Sequence, residues 1–252
     1  MSGMYKSKEE IDKIAEGGKI LRAILKETAG LVKPGISTWE LNTFAEKAIV
    51  KAGGRAAFKG YGPKDNPFPS GLCTSVNSAV VHGVPTKEPL KVGDIVGLDI
   101  GMEYKGLYTD TAITVPVGKV SPEVEKLLKV TQEALDAGIK AAQLGNRIGD
   151  IGAAVQALAD KAKLGIVRDL VGHGVGYDVH EDPQVPNYGK ARTGRELKEG
   201  LVIAIEPMFT LGSYKLVYDD GDGWTISTAD GSYAAHFEHT IAITKNGPRI
   251  LT

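Results

Sequence analysis

The feature of this sequence that most constrains its fold is that it half repeats itself. Leu90-Lys-Val-Gly-Asp-Ile-Val-Gly-Leu-Asp99 aligns without a gap on Leu197-Lys-Glu-Gly-Leu-Val-Ile-Ala-Ile-Glu206, with three identities, five similar residues and an acid closing each run. Upstream, Gly35-Ile-Ser-Thr-Trp-Glu40 sits over Gly145-Asn-Arg-Ile-Gly-Asp150. Downstream, Asp110-Thr-Ala-Ile-Thr resembles Glu238-His-Thr-Ile-Ala-Ile-Thr. Similar segments recurring in the same order mark a duplicated unit. The expectation is an α+β fold with pseudo-two-fold symmetry, a single domain (residues 1–252) built from two related halves, approximately 1–117 and 118–252. Each half would contribute acids to a central site.

Local signals agree with that order. Ser7-Lys-Glu-Glu10 and Ser37-Thr-Trp-Glu40 have the form of capping boxes, each opening a run with apolar residues at helical spacing. The second helix should stop at Gly53-Gly54. Residues 58–71 read as a loop by composition. Asp94–Met102 and Leu107–Val115 alternate as strands around a Tyr104-Lys-Gly106 turn. Ser121-Pro122 opens a long helix to about Ala142, and another helix runs from about Ile148 to Lys163. A Gly/Pro-rich stretch, 182–195, separates these from strands at Leu201–Glu206 and Phe237–Thr244. Glycine, 32 of 252 residues, is frequent enough to imply many tight turns.

Composition excludes several function classes. Lys+Arg total 30 and Asp+Glu 31, so no basic excess favours nucleic acid. No apolar run reaches the ~18 residues of a membrane span, and the N-terminus lacks the apolar core of a signal peptide. One cysteine, Cys73, forbids an internal disulfide or a Cys-rich zinc module. These features point to a cytoplasmic protein.

Four acids have unusual neighbours. Asp99 lies within Ile95-Val-Gly-Leu-Asp-Ile100, Asp110 precedes Thr-Ala-Ile-Thr-Val, Glu206 ends Leu201-Val-Ile-Ala-Ile, and Glu238 lies between Ala234-Ala-His-Phe and His-Thr-Ile-Ala-Ile. A carboxylate in an apolar strand is costly unless paired or metal-bound. Most of 31 carboxylates are solvated surface charges, but four at matching places in two repeats need a common explanation. Paired acids at such spacing repel, and one would take up a proton unless a cation sat between them. Converging carboxylates therefore suggest a divalent metal site with two ions. Of five histidines, His173 sits in Gly172-His-Gly-Val-Gly176, with His180 seven residues on, and His82 lies in a turn after an apolar segment. His236 shares strand parity with Glu238, although it and His239 are as readily structural.

Other motifs fail. His180-Glu181 has Gln184 where a zincin needs histidine, and Tyr177 replaces the third glycine of a dinucleotide loop. Asp219-Asp-Gly-Asp-Gly223 lacks the closing glutamate of a calcium loop and reads as a turn.

Together, Val81-His-Gly-Val-Pro85, Leu98-Asp-Ile100, Tyr108-Thr-Asp-Thr111, Gly172-His-Gly-Val-Gly176, Ile205-Glu-Pro-Met208 and Phe237-Glu-His-Thr240 resemble the motifs of the methionine aminopeptidases across essentially the whole chain. That resemblance implies the pita-bread fold, an antiparallel sheet flanked by helices. It implies five ligands to two divalent ions (Co, Mn, Fe or Zn): Asp99, Asp110, His173, Glu206 and Glu238, with Asp110 and Glu238 bridging. It also implies a water, activated between the ions, that attacks the first peptide bond. Glu206 would move the water's proton, His180 would stabilise the oxyanion, and His82 would position the scissile nitrogen. A methionine pocket would comprise Tyr61, Phe68, Cys73 and Trp224. Val179 replaces an aromatic common in the family, and the loop from Gly62 to Pro67 is a few residues longer; both bear on pocket shape.

The 32 residues between His173 and Glu206 and the 31 between Glu206 and Glu238 leave no room for the insertion of the larger type II enzymes, so the resemblance is to type I. The implied reaction removes initiator methionine from nascent chains whose second residue is small. Transient contact with ribosomes and a monomeric state follow from the same family role. The main competitor is an X-Pro aminopeptidase or prolidase, which shares ligands and fold but usually carries an extra N-terminal domain. A further competitor is a binding protein of this fold that has lost catalysis; such proteins usually lose ligands, and all five are present here.

Overall fold

A computed structural model describes residues 4–219 and 221–252. Met1–Gly3, where the sequence was read for a leader, and Asp220 of the acidic turn lie outside the described residues. Two helices, α1 (Lys8–Gly30) and α2 (Thr38–Lys51), precede strands β1 (Arg55–Ala56), β2 (Leu72–Val76), β3 (Ala79–Val81), β4 (Ile95–Tyr104) and β5 (Leu107–Pro116). Helices α3 (Pro122–Ala141) and α4 (Ile148–Ala162) then precede β6 (Gly165–Ile166), β7 (Gly172–Gly174), β8 (Glu181–Val185), β9 (Val202–Ile205) and β10 (Met208–Thr210). The chain ends with β11 (Leu216–Tyr218), β12 (Ile226–Thr228), β13 (Ala234–His236), β14 (Glu238–Thr244) and β15 (Gly247–Ile250).

Among the described residues the main sheet has nine strands in the order β1-β4-β5-β14-β9-β7-β8, with β2 also on β4 and β15 on β14. Read outward from the β5–β14 seam, β4 and β2 on one side correspond to β9 and β7 on the other. The two halves match in detail. Ser37 and Arg147 are the N-caps of α2 and α4, with Glu40 and Asp150 at the third helical position. Gly35 donates to Leu90 O and Gly145 to Leu197 O. Gly93 and Gly200 share positive φ, 97° and 89°. Ala56 opposes Met102, and Ile166 opposes the equivalent Phe209. The seam maps onto itself: Glu238 faces Ala112 and His239 faces Thr111, while Asp110 and Thr240 exchange two hydrogen bonds of 3.1 and 2.7 Å.

Each half has its own core. Leu21, Leu41 and Ile49 of the first helix pair pack on Leu98 and Ile100 of β4. Leu127, Leu135 and Val155 of the second pair pack on Ile203 and Ile241. Ile113 of β5 touches both clusters. Each such buried aliphatic side chain stabilises the fold by about 1.5–3 kcal/mol. Because side chains alternate along a strand, committing Leu98 and Ile100 to the helices sends Asp99 to the opposite face.

The long elements fall where the sequence places them, and the differences lie in short ones. β8 occupies part of the stretch expected to be a loop. It lies at the sheet edge, where Pro183, having no N–H, removes no ladder bond. β2 and β3 extend past the loop at 58–71. The last predicted strand, Phe237–Thr244, starts at Glu238, and an unpredicted short strand, Ala234–His236, precedes it and pairs in a second sheet with β10. Of the acidic segment between β11 and β12, Gly221 and Asp222 form a turn, with Gly223 donating to Asp219 O and the Asp222 carboxylate accepting from Trp224 and Thr225 N–H.

Candidate metal centre

Five neighbouring strands in spatial order, β4, β5, β14, β9 and β7, each bring one predicted ligand to the same place. Asp99 lies in the middle of β4, and Asp110 lies on β5. Glu238 opens β14, Glu206 follows β9, and His173 is central in β7. Asp99 and Asp110 are diagonal rather than directly opposite, since Asp99 faces Ala112 and Asp110 faces Gly101; the diagonal keeps both on one face. Glu206 leaves its strand where Pro207 breaks the ladder, and Asn187 Nδ2 holds its carbonyl at 2.9 Å.

Ligating atoms converge in overlapping groups, within 4.8 Å of one another: Asp99, Asp110 and Glu238; His173, Glu206 and Glu238; and Asp110, His173 and His180. Glu238 belongs to the first two. His173 Nε2 lies 3.4 Å from Glu206 Oε1. Its Nδ1 is 2.9 Å from Gly174 O, so Nδ1 carries the proton and Nε2 presents a lone pair to the acids.

The electrostatics of this cluster call for positive charge. Burial, with the Glu238 and Asp99 carboxylates close by, pushes Asp110 well above the usual carboxylate range. Burial and the neighbouring acids do the same to Glu206 and Glu238. Burial raises Asp99 to about 7, against a lowering hydrogen bond with Asp110. Burial lowers His173 to about 4, so it supplies no compensating proton. Asp99 Oδ1, Asp110 Oδ1 and Glu238 Oε1 are buried without a hydrogen-bond partner. Buried carboxylate oxygens lacking partners are rare in proteins. Hard oxygen donors with one imidazole are a suitable set for Mn²⁺, Fe²⁺, Co²⁺ or Zn²⁺. The residues therefore fit a divalent, dinuclear centre.

A cavity of about 460 Å³ opens beside the cluster. All four predicted pocket residues line it, as do His82 and His180. Phe68 and Trp224 meet edge-to-face at 5.2 Å. Cys73, buried and directly opposite Asp99 on β2, has its thiol pushed well up by burial and the nearby acids. Val179, the departure noted above, is buried in the same apolar cluster with Phe58; β-branched bulk replaces a ring there. The Gly62–Pro67 loop is anchored on the cavity residue Trp224, whose Nε1 donates to Asn66 O at 3.1 Å.

His180 stands at the rim, its ring 4.5 Å from that of His173 and its Nδ1 2.8 Å from the Tyr61 hydroxyl. His82 is held at φ 56°, a left-handed conformation costing of order 1–3 kcal/mol outside glycine, with its ring 6.4 Å from Trp224. Burial lowers it to about 4, so it is neutral. His236 lay outside the predicted set, although its parity with Glu238 was a usable signal. It lines the cavity, 3.7 Å from Glu206 and 4.0 Å from Glu238 through a buried Nε2 that has no hydrogen-bond partner. His239 points elsewhere, to Thr252 Oγ1 at 3.0 Å.

Comparison with known proteins gives the same picture. Residues 12–245 match the profile of Metallopeptidase family M24. A methionine aminopeptidase of Aquifex aeolicus is 48% identical over 251 residues, 98% of this chain and 97% of that protein. One from Bacillus subtilis is 46% identical, with 98% of each chain covered. The crystal structure of methionine aminopeptidase from Thermotoga maritima superposes with a TM-score of 0.95 at 43% identity, covering 98% of each chain. A prolidase from Pyrococcus furiosus shares the fold, with a TM-score of 0.78 at 23% identity, but this chain spans only 65% of it.

Proposed function

The chain belongs to metallopeptidase family M24, and from that premise we propose that it is a metal-dependent aminopeptidase removing the N-terminal methionine of nascent proteins and peptides when the second residue is small. The observation that carries this reading is the set of buried, partnerless carboxylate oxygens of Asp99, Asp110 and Glu238 beside an apolar cavity. Asp99, Asp110, His173, Glu206 and Glu238 would hold the divalent cations. When bound, the two cations lower the pKa of a water between them toward neutrality and polarise the scissile carbonyl.

The protein's own residues do the rest. The side chain of the first residue enters between Phe68, Trp224, Tyr61 and Cys73, where a thioether finds soft and aromatic contacts. Its free amine lies toward the acids, which restricts cleavage to the first bond. Glu206 accepts the water's proton on a carboxylate oxygen and returns it to the leaving amine. With Tyr61 donating to His180 Nδ1, the proton of the neutral imidazole sits on Nε2, which donates to the developing oxyanion. His82 orients the scissile N–H from the opposite rim.

The 1–117 and 118–252 halves act as one catalytic domain, because ligands from both complete each ion's set. No helix among the described residues is long and apolar enough to cross a membrane. A cytoplasmic, monomeric enzyme meeting its substrates as they leave the ribosome is the setting that suits a reaction on nascent chains.

The test is hydrolysis of Met-Ala-Ser and Ala-Pro-Ser by chelated protein with and without restored Mn²⁺ or Co²⁺. Metal-dependent release of methionine from the first peptide alone is expected. Cleavage confined to the bond before proline would transfer the chain to the prolidase-like branch.

A further inference from the structure

The N-terminal segment reaches the catalytic rim through one buried lysine. Lys6 lies just ahead of α1, anchored by its N–H to Gly200 O at 2.7 Å beside a bridge between Tyr5 and Leu201. Its side chain is fully buried and forms an ion pair with Glu181, whose side chain is only 15% exposed. Breaking a buried pair by removing one partner is strongly destabilising locally, because the other charge stays buried. Evidently this pair holds something in place.

What it holds is the turn between β7 and β8. Glu181 faces Gly174 across that hairpin. One carboxylate oxygen of Glu181 accepts the Tyr177 N–H and, at 2.9 Å, the Asp178 N–H, while the other takes Lys6. A single carboxylate thus ties residues 177, 178 and 181 into a closed turn whose remaining members are Val179 and His180. Lys6 also lies 4.7 Å over the Tyr177 ring, and the Tyr177 hydroxyl donates to Glu10 in the first turn of α1 at 2.7 Å. At Gly176, φ is 142° and a Cβ would fall 2.5 Å from Lys6 Cε. The glycine therefore lets the lysine stem pass against the backbone.

We infer that Lys6 is a positioning residue: through Glu181 it fixes the turn that sets His180 between His173 and Tyr61. The inference rests on the role given to His180 above. His180 has neighbours on its ring, but its backbone is placed by this turn, whose charge-assisted bonds are completed from 175 residues away in sequence.

The test is a double-mutant cycle. Lys6→Met keeps the length of the stem and removes the charge. It should lower kcat on Met-Ala-Ser by about 10- to 100-fold, the scale of a small displacement of a catalytic group, with KM changed less than about twofold. In a His180→Ala background the same substitution should cost no further activity. The imidazole ¹H–¹⁵N signals of His180 should shift in metal-free Lys6→Met protein, while those of His82 should not. Glu181→Gln, which keeps an acceptor for both backbone N–H groups, should act in the same direction with a smaller loss. It serves the same cycle if Lys6→Met does not fold. Unchanged kcat in either variant, or a loss undiminished by His180→Ala, overturns the inference. A wild-type protein that releases no methionine with metal restored would overturn the functional reading instead.

Discussion

The two halves of the molecule start from one plan and use it differently. In the first half, β4 and β5 run unbroken for ten residues each, and the acids they carry are short aspartates in the middle of a ladder. In the second half the equivalent strands are interrupted. β9 stops at Ile205 and β10 resumes at Met208 past Pro207, and β13 and β14 meet at Phe237. The acids at these breaks are glutamates, longer by a methylene, and His173 and His180 come from the same half. A continuous ladder carries its carboxylate inside the sheet, whereas a break lets the chain turn beside the acid. The comparison teaches that one duplicated unit can set its acids in unbroken strands in one half and at strand breaks in the other, and on the proposed roles only the second half adds the proton-moving Glu206 and His180.

The largest expected effects separate those roles. Glu206→Gln should lower kcat by about 10²–10⁴-fold, the usual worth of a general base, and excess Mn²⁺ should not restore it. Asp99→Asn should reduce activity at low metal and recover a substantial part of it as Mn²⁺ is raised, with bound metal counted in the same titration. Equal rescue of both variants would erase the distinction.

Protonation gives a second measure. The acids of the metal-free cluster have folded-state pKa values raised above their ordinary ~4, with Asp99 at about 7. Folded metal-free protein therefore binds protons more tightly than unfolded chain. It loses stability from this source as pH rises from about 4 through 7. Cations relieve that loss, so the melting-temperature difference between loaded and chelated protein should widen over the same window. A difference independent of pH would mean that the acids are not the ligands.

A smaller effect concerns the pocket. Trp224→Ala removes one wall and the anchor of the 62–67 loop. It should raise KM for methionyl peptides by about tenfold, or about 1.4 kcal/mol, with kcat less affected. The smallest effect tests the duplicated helix caps. Ser37 accepts from Glu40 N–H as its side chain closes a capping box, whereas Arg147 offers α4 no side-chain acceptor. Ser37→Ala should cost about 1 kcal/mol, and Arg147→Ser should add several tenths, both read from chemical denaturation.

Much of this architecture was legible because the repeat, the capping boxes and the acids within apolar strands are local patterns. The four acids could be read from their neighbours alone, since an ionised group in an aliphatic strand is anomalous wherever it occurs, whereas His173, in a glycine-rich segment, joined the predicted ligands only through the family resemblance. The short strands were not legible. β8 carries Pro183 and owes its pairing to an edge position, and β11 and β12 are three residues each, too few for periodicity to register. His236 was ambiguous because parity gives the face and not the neighbour. The Lys6–Glu181 pair left no trace in either local sequence, because each residue is ordinary until the fold brings them together.

The seam between β5 and β14 also orders events in time. Its partners, such as Asp110 and Thr240, are 130 residues apart, and contacts so distant in sequence are slow to form. Most of each half's helical surface packs on that half's own strands, although Ile11 and Ile14 of α1 also pack on Val175, Val202 and Ala242 of the second half, and neither half alone owns the full set of predicted ligands. Capture of the cations waits until the two sheets join. Metal uptake should accordingly report the joining of the two halves, and a chain stalled with both halves formed but undocked should bind the cations far more weakly.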